Sequence, residues 1–186
     1  MFQIRIHGRG GQGVVSAAEM LSVAAFEEGR FAQAMPSFGS ERMGAPVVSF
    51  CRIDDREIRL REPVLEPDAL IVQDPTLFHA IDVFGGLSAN GYVLINTSRR
   101  PEELEIAEVI AHLPKGHVRT VPATELAMQY VQRPVPNAAL LGALSAVSGV
   151  IDLESVTKAI QEKFPGPVGK ANILAARAAF DSLRAH

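Results

Sequence analysis

The chain has 186 residues, of which 47% are apolar and 21% charged, with a formal net charge of −3. That balance suits one compact domain over residues 1–186 with a substantial core, and excludes wholesale disorder. It contains no basic run of the kind a nucleic-acid binder needs. Its one cysteine, Cys51, excludes both an internal disulfide and an iron–sulfur cluster held by this chain alone, since a cluster takes about four thiolates. The simplest address is the cytoplasm.

Phe2, Ile4 and Ile6 alternate with polar residues, the period of a strand with one buried face. A glycine loop, Gly8 to Gly13, follows. Val14–Glu28 is mostly apolar with a narrow polar stripe of Ser16, Glu19 and Ser22, which predicts a helix that stops at Gly29. Phe31–Met35 reads as a second strand, and the proline- and glycine-rich stretch Met35–Pro46 as a loop. Val47–Ile53 reads as a strand that pairs with Glu57–Leu60 across Asp54-Asp55 in an antiparallel hairpin. Ala69–Gln73, Tyr92–Asn96 and His117–Val121 are further strands.

The last third carries the helical period in Ala123–Val131, Ala138–Gly149, Leu153–Phe164 and Val168–Ala185, with Asn137 and Asp152 at N-cap positions. No apolar stretch approaches the ~20 residues needed to cross a bilayer, and the N-terminus has no signal-peptide pattern. The alternation predicts an α/β domain of three layers, α/β/α. Its sheet is mixed, because of the hairpin, and mainly parallel, with a glycine-rich turn between the first strand and helix. Two helices, Val14–Glu28 and Ala138–Gly149, are apolar over more of their circumference than one sheet face covers, which predicts burial against other subunits.

Gly8, Gly10 and Gly13 form G-x-G-x-x-G between a strand and a helix. In that setting glycines let backbone N–H groups approach a phosphate, and the helix N-terminus favours the anion. Arg9 can add a cationic fork. The alternative is a tight strand-to-helix turn with no ligand. A nicotinamide dinucleotide site expects an acid at the end of the second strand, where this chain has Gln33-Ala34-Met35-Pro36-Ser37. No Lys-Ser or Lys-Thr follows the glycines, which excludes a Walker A loop.

Gly10-Gly11-Gln12-Gly13 resembles the opening of the gamma subunits of pyruvate and related 2-oxoacid:ferredoxin oxidoreductases. Pro36-Ser37-Phe38-Gly39-Ser40-Glu41-Arg42-Met43-Gly44-Ala45-Pro46-Val47 is similar to the same family's second signature. Asp68–Pro75, Gly91–Asn96, Ala123-Thr124-Glu125 and Asn137–Leu144 continue the resemblance in order. The Ser37–Arg42 version looks closest to the pyruvate, 2-oxoisovalerate and aromatic 2-oxoacid enzymes.

The resemblance implies an enzyme that converts a 2-oxoacid to an acyl-coenzyme A and passes electrons to ferredoxin or another acceptor. Thiamine diphosphate and [4Fe-4S] clusters are then held by partner subunits of alpha, beta and delta type. This chain contributes assembly and coenzyme A contacts through Gly8, Arg9, Gly10, Gly11, Gln12, Gly13 and Arg42. It carries no catalytic residue and no metal site.

Several residues have two readings. Arg42 can anchor its loop through Glu41 or a subunit partner, or meet coenzyme A phosphates. Ala138, Gly142 and Ala146 leave one helix face bare, for close packing within the domain or against a partner. Asp74 stands at a strand end, suited to a cleft or to a turn. Cys51 reads as a small core residue, and His7 as packing or a local hydrogen bond.

Overall fold

The computed structural model describes residues 1–36 and 42–185. Six strands form one sheet in the order β2-β3-β1-β4-β5-β6. They span Phe2–Arg9 (β1), Phe31–Pro36 (β2), Pro46–Asp54 (β3), Ala69–Val72 (β4), Tyr92–Asn96 (β5) and Val118–Val121 (β6). β1, β4, β5 and β6 run parallel, whereas β3 is antiparallel to both β1 and β2. The sheet is therefore mixed, as expected, but its antiparallel part has another origin.

The predicted hairpin does not form. β3 already uses both edges, pairing Phe2 with Ile53 through Arg9 with Pro46 on one side and Phe31 with Asp54 through Pro36 with Ser49 on the other. Glu57–Leu60 has no edge to join. That stretch instead belongs to a segment laid over the sheet, whose carbonyls accept hydrogen bonds from side chains beneath. Gln33 donates to Leu60, Arg52 to Pro63 and Arg5 to Val64.

The alternation read in β1 separates two cores. Ile4 and Ile6 face a helical layer made from α1 (Val14–Glu27), α3 (Ala123–Tyr130), α4 (Asn137–Ser148), α5 (Leu153–Lys163) and α6 (Pro167–Arg184). The opposite face is covered differently. Val72, Val93 and Ile95 pack there with Leu77, Val83, Leu104 and Ile106 under two short 3₁₀ turns, 75–79 and 101–103, and the one-turn helix α2 (Ala107–Ile110). The two outer layers are thus unequal, one of long helices and one of turns and loops.

α1 ends where its sequence stops favouring it. Gly29 takes a φ of +72°, and the N–H groups of Gly29 and Arg30 return to the carbonyls of Phe26 and Ala25. This left-handed exit satisfies carbonyls that the helix leaves open. Asp152 stands at the start of α5 without a side-chain cap bond, while its backbone N–H donates to Glu28 Oε1 at 2.8 Å. Asn137 is the first residue of α4, one place inside the cap position.

α4 does not need another subunit to cover it. Residues 137–145 are all buried, and the helix packs on α6, with further contacts to α1, α3, α5 and β5. A Cβ on Gly142 would strike the backbone of Ala176. The bare stripe therefore serves close packing between α4 and α6 inside the chain.

Candidate functional site

Parallel strands end together, and the loops that leave them create a crevice at their carboxyl ends. The chain leaves β1 on one face of the sheet, through α1, and leaves β4 on the other, through the turn at 75–79. The reversal falls between neighbouring strands β1 and β4. That is where open α/β sheets hold their ligands.

The glycine loop occupies this position. Gly13, with φ +76° and ψ +32°, forms the entry to α1; among the described residues no side chain caps the helix, and its first turn holds no acid. Gly11 also has a positive φ, +92°. Gly10 is stitched to the second signature segment: its N–H donates to Ala45 O at 2.9 Å, and Gly44 N–H donates to Gly10 O at 3.1 Å. A Cβ on Gly10 would collide with the carbonyl of Arg42. Arg42 is thus brought beside the loop, with its own surface exposed. Ser37–Glu41, including the carboxylate considered as its partner, lies outside the described residues.

Gln12 and Arg9 hold the loop to the end of β4. The N–H of Arg9 donates to Gln12 Oε1 at 2.8 Å, and Gln12 Nε2 donates to Asp74 Oδ2 at 2.9 Å. Arg9 Nε lies 3.2 Å from the same carboxylate oxygen. The Arg9 guanidinium also donates to Thr76 Oγ1 and Gly44 O, each at 3.0 Å. Burial opposes ionisation of Asp74. Hydrogen bonds from Thr76 and Gln12 and the charge of Arg9 outweigh it, holding the carboxyl below its usual range. Arg9 therefore neutralises Asp74 and braces the loop, instead of projecting as a free fork. Asp74 serves both expected roles, accepting from Thr76 N at 3.0 Å in the turn and lining the crevice.

Asn137 reaches the loop from α4. Its Nδ2 donates to Gly13 O at 3.3 Å, while its Oδ1 accepts from the N–H of Ala138 at 2.8 Å. A Cβ on Gly13 would meet this amide. Among the described residues, no acceptor faces the N–H groups of Gly11 and Gly13.

Beyond Gln12 the crevice widens into a cleft of about 300 Å³ across the ends of β4, β5 and β6. Asn96 ties its walls together, donating to Gln73 O at 2.8 Å and Thr124 Oγ1 at 2.7 Å and accepting from Thr124 N at 3.1 Å. Gln73, Asn96 and Thr124 were missed as site residues. For Gln73 and Asn96 the readable signal was a polar residue closing a short apolar strand; Thr124, in the first turn of α3, had none. A larger groove of about 630 Å³ lies between the end of α1 and β2, flanked by Phe26 and Phe31. It gathers none of the strand-end polar groups, so the carboxyl-end crevice is the better site.

The remaining candidates stay structural. Cys51 is fully buried, and burial raises its thiol to about 12. Burial, and then the charge of Arg5, lower His7 to about 4. His7 Nε2 accepts from Arg5 Nε at 3.0 Å, the local hydrogen bond expected.

Residues 3–182 match the family model described as pyruvate ferredoxin/flavodoxin oxidoreductase. The chain is also 46% identical over 181 residues to the pyruvate/ketoisovalerate oxidoreductases common subunit gamma of Thermococcus kodakarensis, covering 97% of this chain and 96% of that one. The chain belongs to this oxidoreductase family. Pyruvate synthase subunit PorC of Methanosarcina barkeri is 50% identical over 161 residues, covering 87% of this chain and 85% of that one. Among solved structures, the pyruvate oxidoreductase subunit PORC of Thermotoga maritima superposes with a TM-score of 0.80 at 38% identity, covering 97% of this chain and 95% of that chain. Family membership disfavours a free-standing nicotinamide enzyme, and so does the topology. Antiparallel β3 stands between β1 and β2, so the end of β2 is not beside the glycine loop.

Proposed function

We propose that the chain acts as the gamma-type subunit of a multi-subunit 2-oxoacid oxidoreductase and supplies part of its coenzyme A site. The complex oxidatively decarboxylates pyruvate, 2-oxoisovalerate or an aromatic 2-oxoacid to the acyl-coenzyme A and passes electrons to ferredoxin or another acceptor. Thiamine diphosphate and [4Fe-4S] clusters belong to partner subunits of alpha, beta and delta type. The buried, protonated Cys51 is unsuited to either a nucleophilic or a cluster-binding role.

The observation that supports a coenzyme A role is the glycine loop at the switch between β1 and β4. The uncapped start of α1 and the N–H groups of Gly11 and Gly13 suit phosphate oxygens. Arg9 cancels the charge of the nearby Asp74 carboxylate, and Arg42 adds a positive charge at the rim. A second reading, a loop shaped only for packing, draws on the same glycines, because Gly10 and Gly13 are hemmed in by Arg42 and Asn137. Glycine replacements would damage the loop under either reading.

Arg42→Gln separates them, since it removes an exposed charge and leaves the backbone intact. In the assembled complex, the KM for coenzyme A should rise about 10-fold, the scale of one charge-assisted contact. The KM for the 2-oxoacid and the yield of complex should stay unchanged. Equal KM values for wild type and variant would remove Arg42 from the ligand site and favour the packing reading.

A further inference from the structure

We infer that the 300 Å³ cleft beside the glycine loop is a subsite for an uncharged group with adjacent hydrogen-bond donor and acceptor, received by the side-chain amide of Gln73. The inference rests on the coenzyme A reading and names the part of that molecule placed there.

Among the described residues, Gln73 is the one buried side chain in the wall left without a partner. It is 1% exposed, and neither its Nε2 nor its Oε1 has a hydrogen-bond partner among the described residues. Such an amide is costly to bury unsatisfied. Its neighbours cannot supply the missing bonds, because their own are committed. Gln12 is held between Arg9 N and Asp74, Asn96 between Gln73 O and Thr124, and Asp74 among Thr76, Gln12 and Arg9. The wall is therefore stiff, with one free amide built into it.

The Oε1 atoms of Gln73 and Gln12 lie 3.1 and 3.0 Å from the point where a Cβ on Gly8 would stand. The free amide is thus tucked behind Gln12 at the base of the glycine loop. Both residues line the cleft.

The lining also disfavours an anionic guest. It includes two carboxylates, Asp74 and Glu125, and no lysine or arginine among the described residues. Phosphates belong at the α1 N-terminus, outside this cleft. A primary amide pairs in two-point fashion with a purine edge or with another amide. Coenzyme A offers both, through its adenine and through the two amides of its pantetheine arm. These are two sources of one chemistry.

The test uses the assembled complex with Gln73→Met, which keeps length and removes both polar atoms, and Gln73→Leu in case the first fails to assemble. The KM for coenzyme A should rise about 10-fold with kcat little changed, as expected for one lost two-point contact. Adenosine 3′,5′-bisphosphate and pantetheine, each tested as a competitor, locate the contact. Weakened inhibition by the bisphosphate alone assigns the adenine edge, and by pantetheine alone the amides. If both competitors and the coenzyme A KM match wild type in a variant that assembles, the subsite is overturned. Should Arg42→Gln raise that KM while the Gln73 variants do not, only the subsite fails; if no variant moves it, the underlying reading fails as well.

Discussion

His7 shows how a buried side chain makes stability depend on pH. Its ring sits on β1 below the second face, and its Nε2 must stay unprotonated to accept from Arg5. Arg5 in turn fastens two covering segments through the carbonyls of Val64, Val83 and Gly85. Folding lowers His7 from 6.5 to about 4, so the unfolded chain takes up a proton first as pH falls. Its contribution is complete above pH 6.5 and is lost as pH drops toward 4, a change of about 3 kcal/mol. Asp74 is likewise depressed, and its contribution is present above the ordinary carboxylate range and lost as pH falls below it. Urea unfolding at stepped pH should therefore show stability declining between 6.5 and 4, and His7→Gln should flatten that decline. Parallel curves for the two proteins would contradict this account of the Arg5–His7 pair. The alternation in β1 put His7 on the face opposite Ile4 and Ile6 and suggested packing or a local hydrogen bond, but it could not reveal what covers that face, because the acceptors of Arg5 lie 59 to 80 positions away.

At the scale of elements, the tightest constraint is the contact of α4 with α6. Gly142→Ala would push a methyl group into the backbone of Ala176, which cannot move aside as a flexible side chain can. A cost of about 1–3 kcal/mol is expected from overpacking, read as a lowered urea midpoint. An unchanged midpoint would mean that the helices separate freely there. The small-residue stripe was legible in the sequence; the helix it faced was not, since α4 and α6 are separated by the whole of α5. The same difficulty explains the misplaced hairpin. Alternation in Glu57–Leu60 is a local signal, whereas the partners of β3 were chosen by long-range pairing with β1 and β2. Strands closed by their own turn residues, such as β4 and β5, were read within a residue of their limits. The glycine loop was equally clear, because strand, glycines and helix are contiguous. The cleft was not, because Gln12, Gln73, Asn96 and Thr124 come from the glycine loop, the ends of β4 and β5 and the start of α3.

For the whole molecule, the buried α4 changes what should happen without partners. The apolar helices close on one another within the chain, so the lone subunit should unfold cooperatively instead of requiring a partner to complete its core. Among the described residues, no helix is long and apolar enough to cross a membrane. On the proposed reading, dependence on partners is a matter of chemistry, with this chain positioning a substrate that reacts elsewhere. The most direct test is to purify the chain with its native partners, identify them by mass spectrometry, and assay coenzyme A-dependent 2-oxoacid oxidation by the assembly and by the lone subunit. The account predicts thiamine- and cluster-binding subunits in the assembly, turnover by the assembly, and none by the isolated chain. Turnover by the isolated chain, or a native chain that carries no such partners, would contradict it.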